Sequence, residues 1–322
     1  MQIRIYFILI LGFIMLSCDG ESEVEKEIAK IEVDLNVDRF ENVFFEATPS
    51  DLPQIKENYP FFFSERMPDS LMIQRMNDTL QNEIVQEVNH TFKDFSAIEA
   101  DLVALFQHLK YYDKVFSVPR VITLTNNVQY RDKVIVTDSI ALIALDNYLG
   151  KEHRFYVDGN IPAYLAENFR KEQIVVDLAD GYAKKYIFQT DRKQLIDEMI
   201  YFGKLLYFKD VIIPFKTDAE KIGYSEDQIK WAEANESPIW SYFIEKELLY
   251  STDPKLPNRF IADAPFSKFY LELDNESPGR LGRYIGWQIV KAYAEVSGDD
   301  LMKIMQTAPK EIFTKSKFKP KK

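Results

Sequence analysis

The chain has 322 residues, 46% of them hydrophobic and 14% aromatic, and a formal net charge of −11. Such length and apolar content supply a large core for one or two domains and exclude a disordered protein. The acidic balance excludes general nucleic-acid binding, and the single cysteine, Cys18, excludes a disulfide-stapled domain.

The N-terminus, MQIRIYFILILGFIMLSC, has one early charge at Arg4, an apolar run from Ile5 to Leu16, then Ser17 and Cys18. The run is too short to span a bilayer comfortably and has the layout of a signal peptide, residues 1–17. Leu16 and Ser17 before Cys18 resemble a bacterial lipobox, with Met15 where leucine is usual. Cleavage before Cys18 and its acylation are expected, each buried CH₂ of the acyl chains adding about 0.8 kcal/mol of membrane affinity. Residues 18–30, which include DGESEVEKEIAK, read as an acidic solvated tether.

From Ile31, IEVDLNVDRF alternates as a strand does. The region to Thr91 reads as short helices broken by Pro49, Pro53, Pro60 and Pro68. Its aromatic cluster of Tyr59, Phe61, Phe62 and Phe63 reads as packing rather than a sugar or partner platform. Ser96 and Glu99 predict a capping box for a helix whose stripe is Ile98, Leu102, Leu105, Phe106 and Leu109, with His108 beside it as a packed or surface residue. Between Val118 and Leu145 the period changes: VPRVITLT, DKVIVTD and IALIALD predict a small sheet. After DNYLG at 146–150, His153 and Tyr156 fall on a loop. Gln173 to Phe188 predicts a helix with an acidic face of Asp177 and Asp180.

Asp191 to Pro214, DRKQLIDEMIYFGKLLYFKDVIIP, is apolar around most of its circumference and predicts a central helix wrapped by others. Its polar residues Asp197, Tyr201 and Lys204 share a narrow stripe with Glu198 next to it. A buried stripe must be hydrogen-bonded, so Asp197 and Lys204 are expected to compensate each other. Positions 197–201 also have the frame of an HExxH zinc helix that keeps the glutamate and lacks both histidines. The chain's histidines are His90, His108 and His153, which excludes a two-histidine zinc site on this helix. A carboxylate-only calcium or magnesium site is disfavoured by Tyr201, a poor ligand, and by Lys204, which repels cations. Gly203-Lys204 lacks the rest of a phosphate loop, GxSxG and CxxC are absent, and no cofactor is expected.

Further on, two helices are expected to break at Pro238, with Trp231, Trp240, Phe243 and Leu248 as core. Ser277 reads as the cap of a helix carrying Gly282 and Gly286. Two glycines one turn apart cost about 1 kcal/mol each and mark a close backbone approach, here to the central helix. The last thirteen residues carry six lysines and read as a solvated basic tail, or one that docks on anionic lipid or an acidic partner. A single globular domain over residues 31–310 and a tail over 311–322 are expected.

The lipobox, DNYLG, IPAYL at 161–165, EMIYFGKLLYFKDVIIP at 198–214, IWSYFIEKELLYSTD at 239–253 and PGRLGRYIGWQIVKAY at 278–293 together resemble the gliding-motility lipoprotein GldB family of Bacteroidetes, over nearly the whole mature chain. That family looks distantly similar to HExxH zinc peptidases. The resemblance implies an α+β, mainly helical, zincin-like fold with a small β-sheet packed on helices. It also implies a degenerate site: Glu198 at the place of the general base, Asp197 and Tyr201 replacing two histidines, Lys204 on the same stripe, and Glu245 at the place of a third ligand. Glu198 without a metal has no activated water to accept a proton from. The function so implied is non-catalytic, an accessory component of gliding motility linked to type IX secretion. The protein would be held in the cell envelope by lipid on Cys18, on the periplasmic side or the cell surface, and would bind protein partners through the old cleft or the aromatic surface. The alternatives are a metal-dependent hydrolase using Asp197, Glu198 and Glu245, and an envelope lipoprotein that binds cell-wall polysaccharide.

Overall fold

A computed structural model describes residues 22–64, 66–189, 192–270, 274 and 276–321. The leader, Cys18 and the first residues of the tether lie outside them. The rest of the tether is folded, which corrects the solvated reading for residues 22–30. Ser22 caps helix Glu23–Ile28 by accepting the Glu25 N–H at 3.1 Å. Ile28 is buried, and Glu25 lies 3.1 Å from Nε2 of buried His108. One buried isoleucine and one carboxylate that meets an imidazole dock the segment on helix Ser96–Tyr112.

The class is α+β and mainly helical, as expected. The three predicted runs become β2 (Arg120–Leu124), β3 (Val134–Val136) and β4 (Ile140–Ala144). The strand expected from Ile31 shortens to β1 (Val37–Arg39). The sheet order is β1-β2-β4-β3, parallel except for the antiparallel edge strand β3. Because side chains alternate across a strand, the sheet divides two cores. Val121, Ala141 and Ile143 face the main helical body, while Ile122, Ile140 and Leu142 face an outer cluster. That outer cluster contains Phe44, Tyr59, Met72 and Met76, with Phe62 and Phe63 packed on it. The aromatic run is therefore packing, and only Phe61, 45% exposed, stands substantially open.

The central helix spans Leu195–Ile212 and buries Met199, Ile200, Phe208 and Ile212 completely. Its main partner is helix Leu281–Ser297. A Cβ on Gly286 would lie 1.8 Å from the Met199 carbonyl oxygen, and one on Gly203 would lie 2.3 Å from the Gly286 carbonyl oxygen. Only glycine on both sides permits that crossing. Gly282 does not share it: it faces Phe260 and Ile261 instead.

Several helix ends differ from expectation. Ser96 is the first helical residue rather than a cap, and Asp94 accepts from its N–H and hydroxyl at 3.0 and 2.6 Å. The break expected at Pro238 falls at Asn235, between helices Glu226–Ala234 and Glu236–Glu245. A proline in a first turn removes only an N–H that has no helical acceptor, so it need not end a helix. Ser267, not Ser277, accepts the Leu281 N–H, at 3.2 Å. The basic tail is also folded: helix Pro309–Ser316 buries Ile312 in the main core, and the Lys321 N–H reaches Glu236 at 2.9 Å. The domain thus continues past residue 310, because apolar Ile312 and Phe318 alternate with the lysines. Among the described residues no helix is long and apolar enough to cross a membrane.

Candidate functional site

The stripe on the central helix does not assemble as a site. Asp197 belongs to a capping box: its Oδ2 accepts the Gln194 N–H at 3.0 Å. Glu198 is held by the Arg192 guanidinium, with Nε donating at 2.8 Å, and the same guanidinium lies 3.8 Å over the Tyr201 ring. Lys204 is fully buried, and its Nζ donates to the carbonyls of Met305 and Thr307 at 3.1 and 2.6 Å. The expected pairing of Asp197 with Lys204 is therefore corrected. Seven residues of helix rise separate them by about 10 Å, and the ammonium instead closes the C-terminal end of helix Leu301–Gln306, where free carbonyls favour a cation. Glu245 is exposed at the last turn of helix Glu236–Glu245 and, among the described residues, forms no hydrogen bond or ion pair with the stripe. Among the described residues no three His, Cys, Asp or Glu side chains gather to hold a metal ion.

A cleft of about 630 Å³ opens elsewhere. One wall is helix Ile174–Tyr186, whose Asp177, Asp180 and Lys184 share one face. Phe202 and Lys209 reach it from the central helix, Tyr130, Arg131 and Lys133 from the turn before β3, and Arg280 and Arg283 from the start of helix Leu281–Ser297. Both carboxylates on the first wall are engaged. Asp177 is 2.6 Å from Lys133 Nζ and accepts from the Tyr148 hydroxyl at 2.8 Å. Burial, reinforced by Asp177, keeps that phenol protonated far above its ordinary range. Asp180 is 2.8 Å from Lys184 and 3.1 Å from Lys209. Burial acts to raise the Asp180 pKa, but the two ammonium groups outweigh it and hold the carboxyl well below the usual carboxylate range.

The other cations are positioned by backbone oxygens. Lys209 donates to the Lys221 carbonyl at 3.2 Å, Arg280 to the Gly223 carbonyl at 2.7 Å and Arg283 to the Ile261 carbonyl at 2.6 Å. Asp263, half exposed, is the carboxylate near both arginines, at 3.5 and 3.4 Å. Lys221 is neutralised behind the cleft by Asp210 and Asp218, at 3.0 and 3.2 Å.

The sequence block DNYLG at 146–150 props this cleft. Tyr148 holds Asp177, while buried Asp146 accepts backbone N–H groups of Asn126 and Val128 at 3.1 and 2.7 Å. Those bonds stabilise a turn in which Asn127 and Val128 have φ of 61° and 56°, a region costly for a β-branched residue. The turn leads directly to Tyr130 and Arg131 on the rim. Burial pushes the Asp146 pKa up to about 6 against the backbone donors that oppose it. In the sequence the acidic face of Asp177 and Asp180 was visible, and Lys184 one turn later was its available clue. Arg280, Arg283 and Lys209 come from distant segments and carried no local pattern.

The profile described as gliding motility protein GldB matches residues 21–320, almost the whole chain. The chain belongs to the GldB family. The match spans both cores, every wall of the cleft and the folded C-terminal segment of this family member. No curated protein and no solved structure matches it.

Proposed function

We propose that this GldB family member is an exported lipoprotein, anchored in the cell envelope by lipid on Cys18, that serves gliding motility as a non-catalytic accessory component linked to type IX secretion. Its work is binding, and the binding site is the charged cleft rather than the stripe on the central helix. The observation that carries this reading is the state of the cleft carboxylates: Asp177 and Asp180 are each taken up by lysines, at 2.6 to 3.1 Å, and half-exposed Asp263 lies 3.5 and 3.4 Å from Arg280 and Arg283, so each of the three faces a cation.

The degenerate peptidase frame can be read one helix earlier on the same grounds. Val176, Asp177 and Asp180 have the relative spacing of the first histidine, the glutamate and the second histidine of HExxH, and they face the cleft beside edge strand β3. Lys184 and Lys209 then put positive charge where a metal would have supplied it. In this reading the peptidase scaffold is kept and its hydrolytic step is lost.

The test has two arms. Full-length protein purified from its native membrane is expected to contain no stoichiometric zinc and to cleave no peptide. In the native host, Asp180→Asn is expected to abolish gliding at unchanged protein level. Zinc removable by chelator together with peptide hydrolysis would favour the metal-dependent hydrolase, and undiminished gliding by the Asp180 variant would remove the cleft from the function.

A further inference from the structure

The cleft has an excess of positive charge that the fold itself does not cancel. Setting aside Lys221, which Asp210 and Asp218 neutralise, six cations line it: Arg131, Lys133, Lys184, Lys209, Arg280 and Arg283. Three carboxylates oppose them: Asp177, Asp180 and Asp263. This local excess lies in a chain whose net charge is −11. The way the cations are held explains why it persists. Carbonyl oxygens of Gly223 and Ile261 orient Arg280 and Arg283, which have the one half-exposed carboxylate of Asp263 between them, and Lys184 and Lys209 share the one carboxylate of Asp180. Arg283 is further fixed 4.4 Å over the Phe202 ring. Buried cations kept close together are costly unless an anion joins them, and oriented guanidinium groups suit planar oxyanions.

We infer that the cleft binds a ligand bearing two or more oxyanion groups, carboxylate or phosphate, with Arg280 and Arg283 as one docking point and Lys184 and Lys209 as another. The inference deepens the binding role proposed above and rests on it for biological meaning, but not for its chemistry. Arg283 loses proton affinity through burial and is also repelled by Arg280, while Asp263 and Asp180 counter this. An arriving oxyanion would relieve that repulsion. Exposed Arg131, which has no partner among the described residues, stands at the rim to meet it first. Half-buried Tyr130, whose ring packs 5.9 Å from that of buried Phe169, adds an apolar edge to the same wall.

The test is calorimetric titration of the full chain, purified in detergent at low ionic strength, with citrate and with inorganic pyrophosphate. One or both are expected to bind with a dissociation constant below millimolar, and the stronger of the two identifies carboxylate or phosphate as the preferred group. The double variant Arg131→Gln with Lys184→Gln replaces two exposed or half-exposed side chains and should keep the wild-type melting temperature. It is expected to weaken binding at least tenfold. Absence of heat with both probes, or equal binding by the double variant, overturns the inference. Failure of both probes together with loss of gliding by the Asp180 variant would leave the binding role standing with a different ligand. Tight probe binding with normal gliding would do the reverse.

Discussion

Two lysines of the central helix, Lys204 and Lys209, are both buried, and only one faces a place where a ligand can go. Lys204 has no exposed surface, its ammonium donates to two carbonyls at a helix end, and burial lowers its pKa to about 8. Lys209, five positions later, shares Asp180 with Lys184 and borders an open cleft of about 630 Å³. Burial alone therefore says little about the role of a charge. What separates a structural cation from a binding one is whether its partners seal it or merely aim it.

Both lysines are carried by the helix that crosses helix Leu281–Ser297, so breaking that crossing should disturb both surroundings. Gly286→Ala would place a Cβ within 1.8 Å of the Met199 carbonyl oxygen. The helices must then separate, and we expect a loss of about 3 kcal/mol or more in urea unfolding. A loss under about 1 kcal/mol would show that the crossing is compliant.

Asp180→Ala tests the cleft side. It strands the charge of nearly buried Lys209 and releases half-exposed Lys184, and because the wall is open we expect about 2 kcal/mol, below the cost for a sealed pair. Its folded pKa is depressed, so the contribution is present above the unfolded carboxylate value near 4 and is lost as pH falls toward the folded value. Unfolding of wild type and variant should therefore converge in strong acid. A gap that persists there would mean the cost is packing rather than charge.

Lys204→Met tests the sealed side and should cost less than removal of an ion-pair partner would. No carboxylate is stranded; two carbonyls lose a donor, while a desolvated ammonium is removed, and we expect about 1 to 2 kcal/mol at pH 7. Between its folded value of about 8 and the ordinary 10.5, the unfolded chain binds more protons at this site than the folded one. Wild type should accordingly gain on the variant as pH rises through that window. A constant difference from pH 7 to 10.5 would contradict the burial-lowered lysine. The smallest effect belongs to Lys184→Gln alone, half-exposed at the cleft: a stability change within about 0.5 kcal/mol, measured by thermal melting alongside the loss of oxyanion binding.

Much of the fold was legible because local patterns encode it. The runs at 118–125, 132–138 and 140–146 gave three strands, and the apolar circumference of 195–212 gave a wrapped helix, since side-chain period and burial are properties of contiguous residues. The glycine at 286 announced a close approach for the same reason. Ends were less legible: Ser96, Pro238 and Ser277 each had a plausible local role that a neighbour from elsewhere took over.

The sequence by itself determined that this chain is acidic, poor in histidine and cysteine, α+β in class, and built around one apolar helix. Only the tertiary structure decided that Asp197 caps that helix, that Lys204 closes another, and that charges from positions 131 to 283 meet in one cleft. The physical reason is range: periodicity and capping act over a few residues, whereas the field inside a cleft sums charges that the chain brings together only by folding.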